Sequence, residues 1–211
     1  MELVLEPEKS GEEIKRCISQ FGYTPEHNYS YFLTNAESGA KNIFLRSNKG
    51  YGVLAAYREK AAEVTMISEA LAPRGEQVEA LHDALDTCFS KLSVQKFVVE
   101  QDDALMKKTL KEFGNNGYRA LPPRYSLYWP LFDMEKWDGN DMPGEDWKKL
   151  RNIRNRFYNE HSVEVVDSKS VDKEQLKKIV HDWVERRKLM GLGANRKDSN
   201  LAYYERYVSM I

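Results

Sequence analysis

Residues 147–161 read WKKLRNIRNRFYNEH, and Lys148, Lys149, Arg151, Arg154 and Arg156 fall within nine positions. Cations packed this closely suit an anionic partner, such as a phosphate group or a tRNA. Arg151 and Arg154 lead the set, because a guanidinium grips two oxygens at once. On a helix, Trp147, Leu150, Ile153 and Phe157 share an apolar stripe. Lys148, Arg151, Asn152 and Asn155 share another face, and Arg154 and Tyr158 border the stripe. The same charges could instead be solvated or paired with Glu145, Asp146 and Glu160. A second basic run, ERRKLMGLGANRK, sets Arg186, Arg187 and Lys188 at a helix C-terminus, where cations complement the dipole. Arg196 and Lys197 follow in a loop. Lys148, Arg151, Arg154 and Arg187 are the expected phosphate-binding residues, and together they outline a local patch for tRNA.

Other chemistry is sparser. Glu100 ends the short run KFVVE and Asp102 and Asp103 follow it, where a carboxylate could deprotonate an amine. Asp102 reads more simply as the N-cap of the next helix. The four histidines, His27, His82, His161 and His181, are scattered, and none stands at metal-ligand spacing beside a Cys or carboxylate cluster. No metal site is expected. The absence of a GxSxG elbow and of a Cys–His signature argues against a nucleophilic hydrolase. Cys17 and Cys88 form no CxxC pair, which fits a reducing cytoplasm.

Composition sets the frame for these groups. The 211 residues are 41% hydrophobic and 31% charged, with a net charge of −1. That is an ordinary globular profile, so any attraction to nucleic acid must be local. No stretch approaches the ~20 apolar residues that cross a bilayer. MELVLEPEKSGEE lacks the basic-then-apolar order of a signal peptide. The expectation is a cytoplasmic, soluble chain without a transmembrane segment.

The elements that position the candidates follow from period. Ile14, Cys17, Ile18 and Phe21 mark a helix with Ser10 as N-cap and Gly22 as stop. Tyr29, Tyr31, Phe32 and Leu33 form an aromatic cluster. KNIFLR (41–46), GYGVLAAYR (50–58) and AEVTMISEAL (62–71) read as a three-strand antiparallel meander joined by short polar connectors. Val78 to Leu92 is helical, KFVVE (96–100) a strand, and Ala104 to Phe113 a helix. Tyr118–Leu121 and Tyr125–Leu131 read as extended, interrupted by Pro122–Pro123. DMEKWDGNDMPGED looks like a linker. A helix over 146–159, a short VEVV strand, a helix over 172–190 and a helix over 201–211 complete the chain. The fold class is α/β (α+β), a mixed, mostly antiparallel sheet flanked by helices. The expected domains are 1–132 and a mainly helical 133–211. The second segment could pack on the first, pair with another chain as a homodimer, or be the opening of a larger lobe, which is favoured.

The order of meander, helix, strand, helix and strand resembles the GNAT acyltransferase fold. That resemblance implies a coenzyme A pyrophosphate held by the loop before the central helix, here LAPRGEQV, with Arg74 and Gly75 as its binding residues. The family spacing of Arg or Gln, two residues, Gly, one residue, Gly or Ala is not kept. Glu76 stands where the pyrophosphate would sit, so coenzyme A is not expected there, and the Glu can simply complement a helix dipole. The run from Pro122 to Val166 resembles the segment joining the two GNAT-like lobes of phosphatidylglycerol lysyltransferase catalytic domains, and is similar to Fem-type aminoacyl transferases. Trp147, Lys148, Arg151, Asn152, Arg154, Asn155 and Phe157, then Val163, Val165 and Val166, then Trp183 carry the likeness. It implies transfer of an aminoacyl group from aminoacyl-tRNA to an amine or lipid head group. The alternative is a non-catalytic GNAT-like binding or dimerisation module.

Overall fold

The computed structural model describes residues 1–36, 39–114, 116–123, 126, 128, 143–145, 147–190, 201, 204, 205 and 208. Alternating apolar residues build its sheet. Strands β2 (Lys41–Arg46), β3 (Gly52–Arg58) and β4 (Glu63–Met66) form the expected antiparallel meander. Gly50, at φ +80°, closes the β2–β3 turn in the left-handed region that glycine enters without strain. An N-terminal strand, β1 (Glu2–Val4), pairs antiparallel with β2. Three residues are too few to show a period, so this edge strand is invisible to pattern reading. After α3 (Gln77–Lys91) the chain returns as β5 (Lys96–Val98), parallel to β4. The strand order is β1-β2-β3-β4-β5, a mixed and mostly antiparallel sheet flanked by helices.

Successive side chains point to opposite faces of a strand, and both faces here are buried. Ile43, Leu45, Val53, Ala55, Val64 and Met66 meet Leu81, Ala84, Leu85 and Cys88 of α3. Phe44 and Leu54 face the other way, onto Ile14 and Cys17 of α1 (Gly11–Phe21) and Phe32 of α2 (Tyr29–Thr34). Gly52 is required by packing, because a Cβ there would strike the buried Phe44 ring. Helix α4 (Asp103–Gly114) buries Leu105, Thr109 and Phe113.

The chain divides into two units, Met1–Ala120 with Asp172–Ile211, and Leu121–Val171. The second holds α5 (Lys148–Glu160), none of whose residues is buried. In the first lies α6 (Lys173–Leu189), N-capped by Asp172, whose carboxylate accepts the Glu174 N–H at 3.0 Å. Leu201, Tyr204, Glu205 and Val208 are helical, and Val208 is buried.

Two strand expectations fail. Tyr118–Leu121 joins no strand; the Tyr118 ring instead packs with His82, Phe89 and Phe113. Val163–Val166 is also outside any strand, with Val165 almost fully exposed. Valine's strand preference is a preference for packing on a pleated surface, and among the described residues no strand pairs with this segment. Of Tyr125–Leu131 only Ser126 and Tyr128 are described, and residues 133–142 and 146 of the expected linker lie outside the described residues.

Candidate functional site

The sheet opens where β4 leaves β5. Their parallel pairing runs over Glu63–Lys96, Val64–Phe97 and Thr65–Val98, then stops. On its other side β4 stays with β3: Ala55 faces Met66, and the Ile67 N–H donates to the Leu54 carbonyl at 2.8 Å. Regular pairing would next set Glu69 opposite Gly52. Leu71 stands there instead, exchanging both backbone hydrogen bonds with Gly52 at 2.8 and 3.0 Å. The β4 side therefore carries two extra residues, a bulge made by Ser68, Glu69 and Ala70. Ser68 takes φ +68°, uncommon for a residue with a side chain. Bulges re-aim side chains and end pairing, and backbone strain of this kind collects at functional sites.

Buried polar groups hold the bulge. His27, Ser68, Glu69 and Gln77 are each at most 7% exposed. The Thr24 and Ser68 hydroxyls share a hydrogen bond of 2.8 Å. His27 Nδ1 accepts the N–H groups of Tyr23 and Thr24 at 3.2 and 3.3 Å. That leaves the ring proton on Nε2, which donates to the Glu69 carbonyl at 3.0 Å. Burial pushes the His27 pKa down, against the Glu69 carbonyl and Glu26, which favour the proton. Gln77, on the first turn of α3, donates to the Tyr23 hydroxyl at 2.7 Å and the Ala70 carbonyl at 3.3 Å. The Glu69 carboxylate accepts the Asp102 N–H at 2.8 Å. Desolvation pushes the Glu69 carboxyl above the usual range despite that bond and the nearby Arg74. Glu100 is pushed up by burial as well.

Beside the bulge lies a half-open cleft of about 100 Å³ lined by Tyr23, Glu69, Arg74, Gln77, Asp102, Ala104, Leu105 and Lys108. It admits a small polar group such as an amine, and is well below the ~300 Å³ at which sites for whole small-molecule ligands begin. Its chemistry is a desolvated carboxylate between the starts of α3 and α4, with two cations at the rim.

The expected residues fall unevenly around it. Arg74 lies on the cleft, its guanidinium 5.5 Å from the centre of the Tyr23 ring. Gly75 has open space where a Cβ would be, so nothing there needs a glycine. Glu76 precedes α3 and reaches Lys49 at 3.5 Å, leaving a carboxylate at the helix start. Asp102 is the helix cap that the sequence suggests, its Oδ1 accepting the Leu105 N–H at 2.7 Å. Lys148, Arg151 and Arg154 lie on α5: Lys148 meets Glu145 at 3.3 Å, Arg151 donates to the Gly144 carbonyl at 3.2 Å, and Arg154 donates to Asn155 Oδ1. Arg187 stacks on Trp183, 4.7 Å from its ring centre. Arg196 and Lys197 lie outside the described residues.

Tyr23, His27, Ser68, Glu69 and Gln77 escaped the sequence reading. One signal was present: AEVTMISEAL is long for a strand, and Ser68–Glu69 breaks its apolar run where the bulge begins. Cys17 and Cys88 are buried free thiols on opposite faces of the sheet, and desolvation pushes both up to about 12, so neither is a poised nucleophile. Among the described residues no group of three or more His, Cys, Asp or Glu could hold a metal ion, and no helix is long and apolar enough to cross a membrane. No family model, curated protein or solved structure matches the chain.

Proposed function

We propose that the chain is a transferase that moves an aminoacyl or related acyl group to an amine, with the acceptor nitrogen seated in the cleft beyond the ends of β4 and β5. The bulge carries this reading, because it places the Glu69 carboxylate, desolvated and of raised pKa, at the open end of a parallel strand pair. A base whose pKa moves toward neutrality is matched to deprotonating an ammonium. Glu69 takes the proton, and the free amine attacks the ester carbonyl of the donor. The new C–N bond forms, the C–O bond to the ribose breaks, and the departing oxygen is protonated. Positioning and desolvation supply the rate, with no covalent enzyme intermediate.

Glu76 at the start of α3 disfavours a pyrophosphate there, which supports aminoacyl-tRNA over coenzyme A as donor. The test follows the melting temperature with acyl-coenzyme A and with aminoacyl-tRNA, then measures transfer of labelled amino acid to amine acceptors. A rise with aminoacyl-tRNA and transfer that falls about 100-fold in Glu69→Gln are expected. A rise with coenzyme A would overturn the choice of donor. Glu76 also favours a second reading, a non-catalytic module whose helical C-terminal segment serves dimerisation. Silence from both donors and absence of transfer would select it.

A further inference from the structure

We propose that α5 docks the protein on a bilayer bearing anionic lipid headgroups, an assignment independent of the transfer chemistry. Leu150, Ile153 and Phe157 form one stripe along this helix and are 41%, 56% and 51% exposed. At 3.6 residues per turn, Lys149 and Arg156 border that stripe on one side and Arg154 on the other, with Arg151 further round beyond Arg154. Asn152, Asn155 and Asn159 lie opposite together with Lys148, all exposed. Four cations thus flank the stripe against one acid of the helix, Glu160, which pairs with Arg156 at 2.8 Å on the Lys149 side.

This arrangement decides what kind of surface α5 can meet. A nucleic acid needs cations on the contacting face and gains nothing from an aliphatic stripe between them. Here any surface that reaches Lys149 and Arg156 on one side and Arg154 on the other also covers Leu150, Ile153 and Phe157. The partner must therefore be apolar along its middle and anionic along both edges. An anionic bilayer interface has that profile: side chains enter the acyl boundary while Lys and Arg stems lift their charges to the headgroups. Trp147, at the N-terminal end of the stripe, and Tyr158, beside it, are amphipathic aromatics suited to the headgroup level. Val163, Val165 and Val166, which follow the helix in sequence, are exposed as well. With a chain net charge of −1, the attraction is local and sensitive to salt.

Sedimentation with vesicles tests this on the full chain. Binding is expected to vesicles of phosphatidylcholine mixed with phosphatidylglycerol, to be absent from pure phosphatidylcholine, and to weaken as salt rises. Lys149→Ala with Arg154→Ala should lower the partition coefficient about thirtyfold. Ile153→Ser with Phe157→Ser should lower it while leaving the circular dichroism spectrum unchanged. Lack of binding to the mixed vesicles, or binding indifferent to either pair, overturns the proposal. So does tRNA binding that depends on Lys149 and Arg154 but not on Ile153 and Phe157, which would give the helix to nucleic acid.

Discussion

The cleft beyond the ends of β4 and β5 and the helix α5 are opposites in construction. At and behind the cleft, polar side chains are buried and tied down: His27 to backbone groups of Tyr23, Thr24 and Glu69, and Gln77 to the Tyr23 hydroxyl and the Ala70 carbonyl. On α5 the charges are far denser, yet the helix buries no residue, and its Arg156–Glu160 and Lys148–Glu145 pairs are largely exposed. Exposed pairs of this kind contribute about 0–1 kcal/mol, whereas a buried polar group stripped of its partner costs about 1–3 kcal/mol. Charge density therefore marks where the protein can meet something outside itself. Buried polarity marks where the fold has been committed to a particular geometry.

The contrast breaks most readily at His27. His27→Ala strands two backbone N–H groups and one carbonyl in a buried site and leaves a hole, so it should cost about 3 kcal/mol in urea unfolding. A loss well under 1 kcal/mol would mean that the network is not holding the bulge. The same residue gives a pH signature. Its pKa is lowered in the folded state, so between that value and the ordinary imidazole value the unfolded chain binds the proton more readily. Stability from His27 is then complete above about pH 6.5 and drains away as pH falls toward the folded pKa. His27→Gln should flatten that part of the pH dependence.

Gln77→Leu comes next. It keeps the volume but removes the donors to the Tyr23 hydroxyl and the Ala70 carbonyl, for an expected loss of about 1–2 kcal/mol. The melting temperature should fall with it, and by less than in His27→Ala.

The legibility of the molecule divides along the same line. Helices α1, α3, α4, α5 and α6 and the meander could be read because period survives in a one-dimensional string: Ile14 and Cys17, or Leu81, Leu85 and Cys88, repeat at helical spacing whatever they pack against. The basic residues of α5 were equally visible, since charge needs no partner to be counted. Glu69 was not. Its meaning depends on a two-residue slip in pairing with β3 and on an N–H from Asp102, 33 positions away. Nor could His27 be distinguished from the other histidines, because its role lies in contacts to Ser68's neighbour across 42 positions. The valines of 163–166 misled for the converse reason, as a strand needs a pleated neighbour that local sequence cannot supply.

Glu69→Gln sharpens the comparison by reversing the sign. The folded protein binds a proton at Glu69 more readily than the unfolded chain does, so the ionised carboxylate costs stability at neutral pH. That cost disappears as pH falls through the folded pKa, where the native carboxyl becomes neutral. A neutral amide, which still accepts the Asp102 N–H, should therefore raise the melting temperature at pH 7, with the advantage shrinking in acid. Higher stability joined to lost transfer is the pattern of a group retained for chemistry at the expense of the fold. A lower melting temperature at pH 7 would show instead that the carboxylate is structural.

The smallest effect is expected on α5, and it is the one on which the comparison turns. Ile153 and Phe157 are already about half exposed, so replacing both by serine removes little burial. Substitutions on such surfaces stay within about 0.5 kcal/mol, and the urea midpoint of Ile153→Ser/Phe157→Ser should match that of the parent chain. Slow loss of the parent to aggregation, relieved in the double variant, would also follow from removing an exposed apolar stripe. A fall of about 2 kcal/mol would instead mean that the stripe is covered in solution, because only side chains withdrawn from water carry that much. In that event α5 would belong with the committed interior of the protein, its cations would border a buried seam, and the distinction between a surface that meets partners and a site built by burial would no longer separate these two regions.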